Sequence, residues 1–295
     1  MFKAVYFALY EYFGQQGLGT RRKFRFKNPI KLLDSTLISL TMSVYDWAHY
    51  RTHKGAVKMH TLLDYYTLLP EFVNITDGKC TDNKAAYDIP IEKHSIVVAD
   101  KGYCDYGLLN YWDSNSIFFV VRHKENIRYR SVEELQLPEK CAQEVLVDEI
   151  VEFELQAAKE KYPRKLRRVA VWNDEHGYVV ELLTNNFDLA ASAIGALYKA
   201  RWQIETFFRS LKQLLRIKSF VGTSPNAVEI QIWTALTTLL LLMWLKFRAK
   251  YRWALSNLVA LLRLNTFTKI DLEKWLNEPF TPPPEPDIGG SVLLF

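Results

Sequence analysis

The chain of 295 residues has few of the features that would assign it quickly to a class. Its three cysteines, Cys80, Cys104 and Cys141, are odd in number, and no two are spaced as a metal-binding pair. The N-terminus lacks the basic, apolar, small-residue order of a signal peptide. These absences favour a reduced, cytoplasmic setting.

Two common catalytic motifs are also missing. There is no Gly-rich phosphate loop, so nothing indicates a nucleotide cofactor, and no Gly-x-Ser-x-Gly elbow. The one long apolar run, Ile232 to Leu245, is shorter than the roughly 20 residues that cross a bilayer. It also contains Thr234, Thr237 and Thr238. We therefore predict a buried core helix and no membrane partner.

What the sequence does have is apolar residues for a core and an uneven distribution of positive charge. Hydrophobic residues make up 49% of the chain, and the net charge is +5. The segment from Arg21 to Lys31 contains basic residues and no acid, and the segment from Tyr198 to Lys218 contains a single acid, Glu205. Basic patches of this kind attract nucleic acid. Two solvated faces are the alternative explanation.

The hydrophobic pattern predicts an α/β fold. Strand-like runs at Ile30–Leu40, Ala56–Leu63, Leu69–Thr76 and Ser95–Ala99 are interrupted by one short helix after Thr81. A β-rich stretch follows from about residue 117 to 184, and helices dominate after it. We predict that the chain divides into five segments: a basic N-terminal segment, 1–29; a first part of the core, 30–112; a β-rich insertion, 113–187; a catalytic helix and core helix, 188–250; and a helical segment with a Pro-rich tail, 251–295.

The stretch from Tyr198 to Lys212 carries the strongest functional signal. As one helix, with about 100° per residue, it has two distinct faces. A narrow polar stripe consists of Tyr198, Arg201, Glu205, Arg209 and Lys212, and the opposite face consists of Ala200, Ile204, Phe207, Phe208 and Leu211. One carboxylate among cations and a phenol suits a metal-binding acid surrounded by phosphate-binding groups.

Two other acids complete a possible metal site. Asp34 follows Leu32 and Leu33 in an apolar run, and Asp100 ends the run Ile96 to Ala99. Two-metal phosphoryl transfer needs a few carboxylates that converge from different elements. Taken singly, Asp34 and Asp100 read as turn residues, and Glu205 reads as a surface acid paired with Arg201 or Arg209.

With these residues in place, the chain resembles a bacterial DDE-type insertion-sequence transposase of the insertion sequence 4 family. That family's signature of Tyr, two residues, Arg, three residues, Glu, six residues and Lys is matched by Tyr198, Arg201, Glu205 and Lys212. The segments around Asp34 and Asp100 resemble the family's two aspartate strands. Two further segments, Lys54–His60 and Phe220–Ser224, also resemble segments of the family. The similarity covers roughly Lys23 to Leu245.

The resemblance implies a fold, a chemistry and a set of roles. The fold is a ribonuclease-H-like core, a mixed sheet flanked by helices, with a mostly β insertion before the glutamate helix. Asp34, Asp100 and Glu205 would bind two Mg²⁺ ions, with Mn²⁺ as a substitute. Tyr198, Arg201 and Lys212 would hold phosphates at transposon ends. The implied partners are double-stranded DNA and a second copy of the chain in a synaptic homodimer, in the bacterial cytoplasm with the nucleoid.

The chain departs from the family pattern at its start. Only 33 residues precede Asp34, too few for the separate helical domain that usually recognises terminal repeats. A truncated, non-catalytic DNA-binding protein that inhibits an intact transposase is therefore the alternative function, and a stand-alone nuclease is a third.

Further residues have two explanations each. Lys23 to Lys27 alternates cation and aromatic, which suits DNA backbone contact or an edge strand that discourages pairing.

Trp202, near Arg209 in the basic stripe, suits stacking on a base or packing against the insertion, and Trp172 is a candidate for capturing a flipped nucleotide. His49, His53 and His60 suit a zinc site or, preferably, ordinary surface positions.

Overall fold

The computed structural model describes most of the chain. The described residues are 1–18, 24, 26–40, 49–51, 54–125, 127–137, 144–175, 177–214 and 222–280. Several residues named above lie outside them: Arg21, Lys23, His53, Cys141, Lys218, Phe220 and the prolines of the tail.

The core is a mixed sheet whose central strand carries the first aspartate. The strands β1 (Ile30–Leu40), β3 (Lys54–Asp64) and β4 (Pro70–Asp77) form an antiparallel meander, with the short β2 (His49–Arg51) beside β3. On the other side of β1, β5 (Ile96–Ala99) and β6 (Phe118–Arg122) run parallel to it. The order β4-β3-β1-β5-β6 confirms the predicted mixed core.

The insertion extends this sheet. The strands β7 (Tyr129–Glu134), β8 (Val145–Phe153), β9 (Leu166–Asn173) and β10 (Tyr178–Thr184) are antiparallel, and β10 pairs with β6. Residues 118–122, which the sequence analysis assigned to the insertion, pair in parallel with β5. A short apolar run looks the same in sequence whichever neighbour it pairs with, so the pattern does not reveal its partner.

Helices make up much of the rest of the described chain. Their bounds are α1 (Phe2–Gln15), α2 (Asp82–Ala86), α3 (Tyr106–Ser114), α4 (Gln156–Lys161), α5 (Ala191–Ala200), α6 (Trp202–Leu214), α7 (Pro225–Arg248), α8 (Leu255–Leu264) and α9 (Leu272–Asn277). The sequence analysis did not predict α1. Its buried Tyr6 contacts Trp233, and the Tyr6 hydroxyl donates to the Pro70 carbonyl at 2.9 Å.

The chain divides into two compact units, 1–237 and 238–295. The core of the first unit lies on both faces of the sheet, and its largest fully buried side chain is Trp112. The second unit has a small core of Trp253, Leu258 and Leu276, in which the indole nitrogen of Trp253 donates to the Leu276 carbonyl at 2.8 Å.

Helix α7 is long and apolar enough to cross a membrane by length and composition alone. Its most apolar 18-residue window has a mean hydropathy of 1.6, and 44% of that window is buried inside the protein. Val228, Ile232 and Leu236 are among its buried residues. A core helix of a soluble protein passes the same test, so the predicted core role stays a prediction.

A buried ion pair ties the insertion to the segment that leads into α5. Arg167 on β9 donates two hydrogen bonds to Asp148 on β8, at 2.8 and 2.7 Å, and a third to the Leu189 carbonyl at 2.6 Å. Both side chains are almost completely buried. The pair therefore helps to fix where α5 begins relative to the sheet.

We predict that Arg167→Met destabilises the protein by about 3–5 kcal/mol, because it leaves the Asp148 carboxylate buried without a partner. The double variant Arg167→Met with Asp148→Leu should recover a large part of that loss, since neither charge is then buried. Urea unfolding followed by circular dichroism measures both. Equal destabilisation by the single and double variants would contradict the assignment of the loss to an unpaired charge.

Candidate active site

The sheet brings Asp34 and Asp100 together. Leu33 on β1 is in register with Ala99, the last residue of β5, and the two aspartates are the next residues along the chain. Adjacent strands place such positions about 5 Å apart between Cα atoms. Two acids separated by 65 intervening residues therefore become neighbours.

The third acid comes from the helical region, which differs from the predicted single helix. Tyr198 lies in α5 and Glu205 in α6, and the regular helical hydrogen bonding is interrupted at Arg201. The Arg201 backbone nonetheless keeps helical angles, and its N–H donates to the Tyr198 carbonyl at 3.0 Å. The chain therefore makes one tighter turn at Arg201. The opposite face is buried as predicted, at Ala200, Ile204, Phe207, Phe208 and Leu211.

The guanidinium of Arg201 joins two of the acids. Its Nη2 donates to Glu205 Oε1 at 2.7 Å, and its Nη1 lies 3.4 Å from Asp34 Oδ2. Because one planar guanidinium contacts both, these two carboxylate oxygens lie within about 8 Å of each other. The Arg201 side chain is only 9% exposed, which makes it a buried cation among carboxylates. Its Nε is buried with no hydrogen-bond partner among the described residues.

The third carboxylate is bound by the phenol of the stripe. The Tyr198 hydroxyl donates to Asp100 Oδ1 at 3.1 Å, and the Arg201 guanidinium lies 5.6 Å from the centre of the Tyr198 ring. Burial raises the pKa of Tyr198, and the negative charge of Asp100 raises it further. The phenol therefore stays protonated at neutral pH and acts as a hydrogen-bond donor.

Burial also perturbs the first aspartate. It raises the pKa of Asp34 to about 6, while the Ser35 N–H and the charge of Arg201 lower it, and the charges of Asp100 and Glu205 raise it. The carboxylates are therefore close enough to repel one another, and Arg201 offsets part of that repulsion.

The remaining residues of the basic stripe lie further along α6. Arg209 is exposed and Lys212 is partly exposed, so both are accessible to a ligand on the protein surface. Trp202 is 41% exposed, so much of its ring is in contact with solvent.

A groove beside the three acids contains both tryptophans singled out in the sequence. It has a volume of about 280 Å³ and includes Trp172 from β9, Trp202, Tyr198, Lys199 and Arg122 in its lining. Trp172 is 39% exposed. The insertion thus contributes one aromatic wall and the helical region the other.

The donor set suits Mg²⁺ or Mn²⁺. Carboxylate oxygens are the ligands that these ions prefer, and three carboxylates converge here. Within the described part of the chain, no three His, Cys, Asp or Glu side chains are grouped tightly enough to hold a metal ion as they stand. The reason is visible at the site, where the Arg201 guanidinium lies between Asp34 and Glu205.

The sequence analysis missed the polar groups behind Asp34. Ser35, Lys58 and Asp82 form a connected set, and His60, for which a surface position was preferred, is completely buried. The alternation on β3, which puts Lys58 and His60 on one face, was the available signal. This alternation predicts a strand, and the polar face that it creates was not taken as a sign of a site.

The sequence has relatives among known proteins. A family model described as "Transposase DDE domain" matches residues 25–241. The chain is 36% identical over 231 residues to a protein of Sinorhizobium fredii (strain NBRC 101917 / NGR234) named as transposase y4zB, covering 78% of this chain and 64% of that protein. It is 29% identical to a protein of Geobacillus stearothermophilus named as a transposase for insertion sequence element IS5377, covering 78% of this chain and 60% of that one.

A structural comparison finds a more distant similarity. A cryo-EM structure of the piggyBac transposase synaptic complex with hairpin DNA aligns with a TM-score of 0.46 and 12% identity, over 89% of this chain and 56% of that one. This overlap is too low to support an argument about this chain. The chain spans about three-fifths of the length of the two relatives described above. The family match extends over most of the chain, from Arg25 to Leu241, and the chain therefore belongs to the family of transposases with a DDE domain.

Proposed function

We propose that this chain is the catalytic part of a DNA transposase that cleaves DNA at the ends of an insertion sequence and joins the freed ends to a target. One observation carries the proposal: Asp34, Asp100 and Glu205, from three separate elements, meet around Arg201 and Tyr198. Placement in the insertion sequence 4 family is part of the same proposal, because Tyr198, Arg201, Glu205 and Lys212 match its signature.

The reaction is a phosphodiester hydrolysis followed by a transesterification. In the first, a water oxygen bonds to phosphorus, the bond to the 3′ oxygen breaks, and that oxygen leaves as a 3′-hydroxyl. In the second, the 3′-hydroxyl oxygen bonds to the phosphorus of a phosphodiester in the opposite strand or the target DNA, the bond from that phosphorus to its 3′ oxygen breaks, and that oxygen leaves as a new 3′-hydroxyl. Two divalent ions, when bound by Asp34, Asp100 and Glu205, would supply charge stabilisation to the entering and leaving oxygens.

The protein's own groups have distinct proposed roles. Tyr198 orients Asp100 through its hydroxyl, because its raised pKa keeps the proton on the phenol. Arg201 holds Asp34 and Glu205 in place without DNA, and turns toward a DNA phosphate during catalysis. Arg209 and Lys212 contact the DNA backbone. Positioned cations of this kind lower the barrier by electrostatic stabilisation of the reacting phosphate.

The groove beside the site is proposed to accept an unstacked nucleotide. Trp172 and Trp202 offer partly exposed rings, and stacking on such rings contributes about 1–3 kcal/mol per base. The insertion would thus hold the DNA end while the core acts on it. Double-stranded DNA is the proposed substrate, a homodimer the proposed synaptic form, and the bacterial cytoplasm with its nucleoid the proposed location.

Removing any one carboxylate should abolish cleavage. We predict that Asp34→Asn, Asp100→Asn and Glu205→Gln each reduce Mg²⁺-dependent cleavage of end DNA by at least about a thousandfold, with DNA affinity retained, because each takes one anionic ligand from a shared site. Asp64→Asn, a carboxylate on β3 that accepts from Lys31 at 3.2 Å, is the matched control. Cleavage at the wild-type rate in any of the three would refute that residue's role.

Replacing Arg201 should separate metal binding from catalysis. We predict that Arg201→Ala binds Mn²⁺ more tightly than the wild type in the absence of DNA, because a competing cation has been removed from the carboxylates. Cleavage should fall, since the phosphate contact is lost as well. Titration calorimetry measures the binding, and Arg209→Ala on the same helix is the control. Weaker Mn²⁺ binding in Arg201→Ala would contradict this role.

Lys212 should act on DNA affinity alone. We predict that Lys212→Ala weakens DNA binding and reduces the slope of log K against log salt by about 1, because one phosphate contact is lost. Fluorescence anisotropy at several salt concentrations gives the slope. Lys161→Ala, an exposed cation on α4, should leave it unchanged. An unchanged slope for Lys212→Ala would exclude Lys212 from the interface.

A further inference from the structure

A partly buried polar cluster lies against β1 next to Asp34. It consists of Ser35 on β1, Lys58 and His60 on β3, and Asp82 at the start of α2. Ser35 is in register with His60 across the antiparallel pair. Successive residues of a strand point to opposite faces, so this cluster and the Asp34 side chain approach β1 from opposite sides.

Asp82 is the centre of the cluster. Its Oδ1 accepts a hydrogen bond from the Ser35 hydroxyl at 2.5 Å. The same oxygen forms an ion pair with Lys58 Nζ at 2.9 Å. Lys58 also donates to the Cys80 carbonyl at 3.1 Å, which fixes the chain just before α2. His60 Nδ1 lies 3.7 Å from the same carboxylate oxygen. Burial lowers the pKa of His60 to about 4, so the ring is neutral and Lys58 supplies the balancing charge.

Ser35 connects Asp82 to the first aspartate. The Ser35 N–H donates to Asp34 Oδ1 at 2.8 Å, which leaves Asp34 Oδ2 facing Arg201. The pairing of β1 with β5 ends at Leu33 and Ala99, so this part of β1 lies beyond its parallel neighbour. The bond from Ser35 to Asp82 restrains the strand where that pairing stops.

Asp82 also touches the segment that carries the second aspartate. A Cβ atom at Gly102 would lie 3.3 Å from Asp82 Oδ2, closer than most contacts of that kind, so the turn after Asp100 packs directly on this carboxylate. The two oxygens of Asp82 therefore face the two aspartate-bearing segments: Oδ1 faces Ser35, and Oδ2 faces Gly102.

We propose that Asp82 is a positioning residue that sets the spacing between Asp34 and Asp100, by hydrogen-bonding Ser35 and supporting Gly102, and so determines how tightly the site binds divalent metal. This inference rests on the proposed function, in which Asp34 and Asp100 bind the metal. Asp82 is not itself a ligand in this account, because Lys58 and Ser35 already occupy Oδ1.

The test is Mn²⁺ binding to the DNA-free chain, measured by titration calorimetry. Asp82→Ala should weaken binding by about 10- to 100-fold, the usual effect of removing a group that orients a ligand. Asp82→Asn should weaken it less, because the amide oxygen still accepts from Ser35. Asp64→Asn is the control, because it removes a carboxylate that is also paired with a lysine but lies on β3. It should leave Mn²⁺ binding unchanged. The Mg²⁺ concentration for half-maximal cleavage should rise in the same order.

The outcomes distinguish a failure of the positioning role of Asp82 from a failure of the proposed metal-dependent function. Wild-type Mn²⁺ affinity in Asp82→Ala, together with loss of binding in Asp34→Asn, would overturn the inference and leave the function standing. Loss of binding in both Asp82→Ala and Asp82→Asn, as complete as in Asp34→Asn, would make Asp82 a ligand and overturn the positioning role. Equal binding in the wild type and Asp34→Asn would overturn both.

A second variant covers the case in which Asp82→Ala does not fold. Ser35→Ala removes only the hydroxyl that Asp82 accepts from, and it keeps the backbone N–H that donates to Asp34. It should also weaken Mn²⁺ binding, with a melting temperature close to that of the wild type. Unchanged binding in Ser35→Ala would overturn the proposed connection.

Discussion

The site depends on one electrostatic constraint: three carboxylates are brought together inside a folded protein, where their repulsion must be offset. Arg201 does this for Asp34 and Glu205, and the Tyr198 hydroxyl donates to Asp100. Burial and the neighbouring acids raise the pKa of Asp34, because they favour its protonated form.

The rest of the fold keeps these groups in place. The parallel pairing of β1 with β5 aligns Asp34 and Asp100, and the buried face of α6 holds Glu205 over the sheet. The insertion extends the sheet and is tied by Arg167 to the segment before α5. It also contributes the Trp172 side of the groove. Strand register, helix burial and the insertion therefore act on the same few side chains.

Much of this arrangement follows from local sequence. The apolar runs that end near Asp34 and Asp100 predicted β1 and β5, and the apolar face of 198–212 predicted which side of α6 is buried. The pairing of β6 with β5 and the interruption at Arg201 depend on tertiary contacts, which a local pattern does not contain. Asp82 shows the same limit. Its position beside Thr81 predicts a role at the start of a helix, but its side-chain partners lie on β1 and β3.

The most direct test of the account is the position of metal in the folded protein. Crystals grown with Mn²⁺ and measured by anomalous diffraction would locate it. The account predicts two manganese ions about 3.5–4 Å apart, held by Asp34, Asp100 and Glu205. Manganese bound elsewhere, or the three carboxyl groups more than about a dozen ångströms apart and unable to share two ions, would contradict it.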